Sequence, residues 1–301
     1  MEEYLMSGTI SILRGGNSME IKKVGVLGAG IMGAGIAQIC AEAGYEVILV
    51  DVAEAFVNKG YQGIVKNWTR AVEKGKRTAE DVEKFKALIT TSLDNKDFKD
   101  CDVIIEAIIE NIDIKKKVFK ELGEICKDSA VLASNTSALS ITEIAAASGR
   151  PESVVGMHFF NPVPVMKLVE VIPGAVTSET AVETITELSI KIGKEPVRAQ
   201  ETPGFIVNRI LVPYMNEAAM LYQEGVPAEA IDKAMKLGAN MPMGPLALAD
   251  LVGLDTLLMI CDYYWREFGD SKYRASLALR NKVRAGHLGR KTGKGFYDYT
   301  K

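Results

Sequence analysis

The chain has two histidines, and one of them stands where packing alone would favour a valine. In SVVGMHFFNPVPVMKLVEVI (153–172), His158 interrupts one apolar run and Glu170 interrupts the next, with an Asn-Pro turn between them. An imidazole held at one nitrogen by a carboxylate is a recurring proton-transfer device. The carboxylate fixes the tautomer and leaves the other nitrogen to take and return a proton. Asn135 and Ser137, in ASNTS after an earlier apolar run, suit the same crevice if their strand lies nearby. A second reading fits the residues equally well: His158 as a satisfied core histidine, and Glu170 as a buried carboxylate paired elsewhere.

A second group of residues points to a nucleotide. GAGIMG places glycines at 28, 30 and 33, in the G-x-G-x-x-G spacing. Gly28 permits a tight turn, Gly30 lets backbone approach a pyrophosphate, and Gly33 lets the following helix pack on the strand. The helix start adds free N–H groups and the positive end of the dipole. Asp51 closes the next apolar run, 23 residues beyond Gly28. A carboxylate there accepts hydrogen bonds from the ribose hydroxyls and repels a 2′-phosphate, which favours NAD over NADP. A structural turn in an unrelated α/β fold is the competing explanation.

The elements that must carry these groups follow from periodicity. KKVGVL (22–27), EVILVD, CDVIIEAI (101–108), AVLASNTS, VVGMHFF, MKLVEVI and EPVRAQ read as strands. Helical patterns separate several of them, including a long one from 53 to 90 with a break near Gly75, and Gly44 closes the first helix. Ser140 and Glu143 have capping-box spacing. From Phe205 onward only helical periodicity remains. Alternating β and α followed by all-α predicts a Rossmann-like, doubly wound α/β domain over 19–203 and a helical domain over 204–301. Residues 1–18 fall outside the pattern and read as a disordered extension. It is either an upstream start ahead of Met19 or a native tail.

Composition narrows the function class. With 48% apolar and 25% charged residues, the 301-residue chain is ordinary for a globular protein. A net charge of −3 gives no reason to expect nucleic acid or an anionic membrane as partner. Cys40, Cys101, Cys126 and Cys261 are scattered, without metal-ligand spacing, which points to a reducing cytoplasm and to no metal. No apolar run reaches membrane-spanning length, and the acidic start MEEYLMSGTISIL lacks the features of a signal peptide. Lys59, Lys66, Arg70 and Lys74 share one helical face by their spacing, and a row of this kind is usually solvated. His287 reads as a surface residue.

VLGAGIMGAGIAQ, ASNTSALSITEIA, GMHFFNPVPVMKLVEVI, ETPGFIVNRILVPYMNEA, DKAMKLGANMPMGPLALADLVGLD and GRKTGKGFYDY together resemble the L-3-hydroxyacyl-CoA dehydrogenase family, from 19 to 301 in order. The likeness is strongest to short-chain bacterial members. It implies NAD-dependent interconversion of an (S)-3-hydroxyacyl-CoA, such as 3-hydroxybutyryl-CoA, and the 3-ketoacyl-CoA, here acetoacetyl-CoA. It also implies roles. His158 is the general acid/base, Glu170 its orienting partner, and Ser137 and Asn208 hold substrate. Gly28, Gly30, Ile31, Met32, Gly33, Asp51, Glu110, Lys115, Asn135, Ser137, Asn161 and Lys291 belong to the cofactor side. Arg70 and Lys74 hold coenzyme A, whose phosphates suit a cationic stripe. The apolar C-terminal helices imply a homodimer. Longer-chain or dicarboxylyl substrates, a free hydroxy acid, and a non-catalytic NAD-binding relative remain the alternatives.

Overall fold

The computed structural model describes residues 20–300. The readings made for 1–18 and for a start at Met19 lie outside the described residues. Eight strands form one sheet in the order β3-β2-β1-β4-β5-β6-β7-β8. They are β1 (Lys23–Leu27), β2 (Glu46–Val50), β3 (Ile89–Ser92), β4 (Val103–Glu106), β5 (Val131–Ser134), β6 (Val154–Phe159), β7 (Leu168–Pro173) and β8 (Glu195–Arg198). The first six run parallel, and β7 turns back antiparallel to β6. The parallel strands therefore end on one edge, where open α/β sheets bind ligands.

Both faces of the sheet are covered, which explains why β4 and β6 are buried along their whole length. On one face Val24, Val26, Leu49 and Ile105 pack under α1 (Ile31–Glu42), α2 (Glu54–Glu73) and α6 (Glu179–Lys191). On the other, Leu27, Ile48, Ile104 and Leu132 meet Phe119 and Leu122 of α4 (Ile112–Ile125) and Ile141 and Ile144 of α5 (Ile141–Ala147). Ser140 caps α5 by accepting the Glu143 N–H at 3.1 Å. The reciprocal half of the expected box is absent, because the Glu143 carboxylate turns to Lys116 at 2.9 Å.

The long helical pattern over 53–90 resolves into α2, a turn at Gly75, α3 (Ala79–Ala87) and β3. The sequence reading missed β3, whose four residues ITTS bury only Ile89. Beyond the sheet come α7 (Val207–Gln223), α8 (Ala228–Gly238), α9 (Pro245–Val252), α10 (Leu254–Phe268) and α11 (Leu277–Arg284), around a separate apolar core. The helical periodicity that runs through 244–269 is broken at Gly253, whose φ of 102° no helix tolerates. Two buried carboxylates hold the C-terminal segment on α9. Asp232 accepts from Leu246 N–H, Ala247 N–H and Tyr297 O–H, and Asp250 accepts from Phe296 N–H and Tyr297 N–H. No described helix is long and apolar enough to cross a membrane.

Candidate active site

His158 and Glu170 face each other across the β6–β7 ladder as direct register partners. His158 Nδ1 lies 2.7 Å from Glu170 Oε2, and both residues are buried. A carboxylate offers only lone pairs, so Nδ1 carries the hydrogen and Nε2 is the nitrogen left for chemistry. The other carboxylate oxygen, Oε1, accepts the N–H groups of Ile206 and Val207 at 3.0 and 2.9 Å. Glu170 thus binds the imidazole with one oxygen and the start of α7 with the other. The chain enters α7 through Phe205, a non-glycine residue with a φ of 51°, and this left-handed turn brings both N–H groups onto one oxygen.

Two rings flank the imidazole. The Phe160 centroid lies 4.5 Å from that of His158, and the Phe205 centroid 5.7 Å. Neither phenylalanine was singled out from sequence, because a Phe beside a strand or in a turn carries no chemical signature of its own.

The loop after β5 lies beside this pair. Asn135 Oδ1 accepts the Phe159 N–H at 2.9 Å and so pins β6 one residue beyond His158. Glu110, in the loop after β4, receives the Ser137 N–H at 2.9 Å and the Ser137 hydroxyl at 3.2 Å. Asn208, in the first turn of α7, donates from Nδ2 to the Ser137 carbonyl at 3.4 Å. His158, Glu170, Ser137, Asn208, Asn135 and Glu110 therefore form one connected neighbourhood, built from β6, β7, the loops after β4 and β5, and the α7 entrance. Asn161 is exposed in the turn that follows.

The glycine turn lies on the same edge of the sheet. Gly28 has a φ of 102°, and a Cβ on Gly33 would stand 1.7 Å from the Gly28 carbonyl oxygen. Both positions are therefore restricted by the protein itself. A Cβ on Gly30 would meet no protein atom within 4 Å. The space there is open, so what a side chain at 30 would obstruct is a ligand on the helix N-terminus. Ile31 and Met32 begin α1, Ile31 exposed and Met32 half-buried. Asp51 Oδ2 accepts the Ala29 N–H at 2.7 Å, and Oδ1 accepts the Val52 N–H at 2.7 Å. These bonds fix the carboxylate beside the turn. The donor set fits a dinucleotide.

Two residues that the resemblance places on the cofactor side are held by carboxylates of the protein. Lys115 is 1% exposed, and its ammonium lies inward, 2.5 Å from Glu106 and 3.5 Å from Glu110. Its position in the first turns of α4 dictates this: from there the side chain points back toward the end of β4. Lys291 belongs to the helical part of the chain, where it pairs with Asp255 at 2.5 Å. Among the described residues, no hydrogen bond or ion pair joins Lys291 to any residue before 204. Arg70 is exposed on α2 and Lys74 at its C-cap, in line with Lys59 and Lys66, and none of the four makes a salt bridge among the described residues.

Glu106 was overlooked in the sequence, although the signal was present. It is an acidic residue inside the apolar run DVIIEAI, just as Glu170 is in its own run. Among the described residues no group of three His, Cys, Asp or Glu is placed to hold a metal. All four cysteines are free and buried. Burial pushes the thiols of Cys40, Cys101 and Cys261 up to about 12 and that of Cys126 up to about 11, so none is poised as a nucleophile.

Comparison with known proteins agrees with this geometry. Residues 23–202 match the model of the 3-hydroxyacyl-CoA dehydrogenase NAD binding domain, and residues 204–299 that of the 3-hydroxyacyl-CoA dehydrogenase C-terminal domain. The chain is 51% identical over 280 residues to 3-hydroxybutyryl-CoA dehydrogenase of Clostridioides difficile, covering 93% of this chain and 100% of that one. It is 45% identical over 288 residues to the mitochondrial hydroxyacyl-coenzyme A dehydrogenase of Homo sapiens, covering 93% and 91%. A crystal structure of (S)-3-hydroxybutyryl-CoA dehydrogenase from Ralstonia eutropha has a TM-score of 0.91 at 47% identity, covering 93% of this chain and 100% of that one. Carrying both domains of the family in order, with matches along nearly its whole length, this chain belongs to the 3-hydroxyacyl-CoA dehydrogenase family.

Proposed function

We propose that this protein interconverts (S)-3-hydroxybutyryl-CoA and acetoacetyl-CoA with NAD as the redox cofactor. The observation that carries the reading is the buried His158–Glu170 contact beside Ser137 and Asn208, in a chain of this family. Gly28, Gly30, Gly33 and Asp51 would hold the dinucleotide, which when bound takes the hydride from C3 of the substrate.

His158 handles the proton. Loss of hydride from C3 builds positive character there unless the 3-hydroxyl proton leaves as well. Neutral His158 accepts that proton at Nε2, and Glu170 at Nδ1 stabilises the cation that forms. In the reverse direction the imidazolium returns the proton to the oxygen as C3 becomes an alcohol. Phe160, Phe205 and the apolar strand hold the ring in a setting poor in water, where the charge on Glu170 acts strongly. Asn208 and Ser137 supply polar contacts on the substrate side, and Arg70 and Lys74 meet the phosphates of coenzyme A.

Three further assignments belong to the same reading. The dinucleotide domain ends at 203 and the helical domain begins at 204. The helical domain also forms a homodimer, supported by Ile210, Leu237, Leu251 and Met259, which are 68%, 76%, 50% and 50% exposed. Four buried, unpaired thiols support a reducing cytoplasm.

The test is the disappearance of NADH absorbance with 3-ketoacyl-CoAs from four to ten carbons. We expect the highest kcat/KM at four carbons. No turnover with any of them would refute the reading, and a maximum at eight or ten carbons would replace the short-chain assignment.

A further inference from the structure

Behind Ser137 lies a buried charge cluster that no step of the proposed reaction uses. Glu106 closes β4 and is fully buried, and Lys115 is 1% exposed. Glu106 Oε1 accepts the Lys115 ammonium at 2.5 Å and the Ile108 N–H at 2.8 Å. Its Oε2 accepts the Ser134 hydroxyl at 2.7 Å. The same ammonium lies 3.5 Å from Glu110 Oε2. Glu110 Oε1 in turn accepts the Thr136 hydroxyl at 2.6 Å, the Ser137 N–H at 2.9 Å and the Ser137 hydroxyl at 3.2 Å. One cation is shared by two carboxylates, and the second carboxylate reaches the site.

Stability alone does not account for this arrangement. Removing a lysine and a glutamate from water costs several kcal/mol per ion, and apolar residues of similar volume usually do as well or better. The preceding residues of β4 are Val103, Ile104 and Ile105, so an apolar solution was available at Glu106. What an apolar residue cannot supply is an ammonium fixed beside Glu110. A hydroxyl has a single proton, and Ser137 spends it on Glu110. Only lone pairs of Ser137 then remain to face the crevice.

We propose that Glu106 and Lys115 are positioning residues for Ser137. They hold Glu110 in place, Glu110 takes the Ser137 hydroxyl proton, and Ser137 meets a bound ligand as a hydrogen-bond acceptor. The donor to the reacting oxygen is then Asn208, whose Nδ2 already stands at the Ser137 carbonyl. The proposal rests on the reading that Ser137 lines the substrate site.

The experiment is a double-mutant cycle on the full-length protein between Glu106→Gln and Ser137→Ala, followed by kcat/KM for acetoacetyl-CoA, with NADH affinity and Tm read in parallel. Glu106→Gln keeps the shape and removes the charge that anchors Lys115. We expect each single variant to lower kcat/KM by roughly tenfold, the order of one positioned hydrogen bond. We expect the double variant to be no worse than Ser137→Ala alone, because both remove the same contact. All rates are compared at saturating NADH, so that a change in cofactor affinity does not enter the cycle. If the two losses multiply, Glu106 acts through general structural damage and the positioning role is wrong. If Ser137→Ala by itself leaves kcat/KM unchanged, Ser137 is not in the substrate site, and both the reading beneath the proposal and the proposal fall. Should Glu106→Gln not fold, Ser134→Ala removes one of the bonds that hold Glu106 and is entered in the same cycle. A smaller loss that vanishes in the Ser137→Ala background supports the proposal, and one that persists there overturns it.

Discussion

His158 and Glu170 are cross-strand partners in register on β6 and β7, with Nδ1 and Oε2 separated by 2.7 Å. The sheet itself therefore sets their distance, because directly opposed residues on one face of an antiparallel pair lie within side-chain reach. Their separation of twelve positions in sequence is the length of a turn and two half-strands. The same carboxylate holds the Ile206 and Val207 N–H groups, so the proton-transfer pair and the entrance to the helical domain share an anchor.

That sharing gives Glu170→Gln two expected effects. The rate falls by at least about tenfold, because an amide neither fixes the imidazole nor stabilises its cation as a carboxylate does. The melting temperature falls as well, because two backbone donors lose a charged acceptor, a contact worth about 1.5–3 kcal/mol. Steady-state kinetics and thermal unfolding of one preparation check both. A rate loss with unchanged Tm would mean that the bonds to Ile206 and Val207 contribute nothing to holding the domains.

Cofactor choice depends on Asp51, whose carboxylate is fixed by the Ala29 and Val52 N–H groups beside the glycine turn. Its charge opposes a 2′-phosphate. We expect kcat/KM to be higher with NADH than with NADPH, and Asp51→Ala to narrow the gap. Equal values in the wild type would remove Asp51 from this role.

The proposed coenzyme A contact lies along α2 and its C-cap, where Lys59, Lys66, Arg70 and Lys74 are exposed and make no salt bridge among the described residues. Replacing Arg70 and Lys74 together with alanine should raise KM for acetoacetyl-CoA and leave kcat and NADH affinity nearly unchanged, the pattern of lost uniform binding. The KM difference should shrink in high salt, because exposed charges are screened. An unchanged KM in the double variant would make the row a solvated face only.

Away from the site, Asp102 ties the start of β1 to the loop before β5. Burial raises its carboxyl, but the Lys127 ammonium at 2.5 Å and the Lys22 and Lys23 N–H groups outweigh that effect and hold it below the usual carboxylate range. A depressed acid stabilises the fold above its unfolded value near 3.9, and that contribution is lost as pH falls through the folded value. Asp102→Asn should therefore lower Tm at pH 7, with the difference from wild type closing below about pH 4. A gap that stays constant down to pH 3 would assign the loss to packing instead of charge.

Much of this site was legible in the sequence because its residues break a pattern. A histidine and a glutamate in apolar strands, glycines at fixed spacing and an acid ending the next strand each violate what packing prefers, and β6, β7 and the glycine turn fall where those violations are. The less legible parts break no pattern. β3 is four residues long with one buried position, too short to show a period of two beside the helix before it. The junction of α9 and α10 carries apolar periodicity straight through Gly253, so only the backbone reveals the break. Lys115 shows a different limit. The resemblance places it on the cofactor side, but nothing in the sequence marks its buried partner, because that pairing depends on the helix phase and on Glu106, which stands nine positions earlier on another element.

The most direct test of the central claim is kcat for His158→Gln with acetoacetyl-CoA and NADH, measured beside the NADH dissociation constant. Glutamine fills much of the same space between Phe160 and Phe205 and still reaches Glu170 as a donor, but it cannot carry a proton to and from the substrate oxygen. We expect kcat to fall by a factor on the order of 10²–10⁴, with NADH binding and the fold retained. A kcat within about threefold of wild type in a folded, NADH-binding variant would show that His158 is a core histidine and that the proton is moved elsewhere.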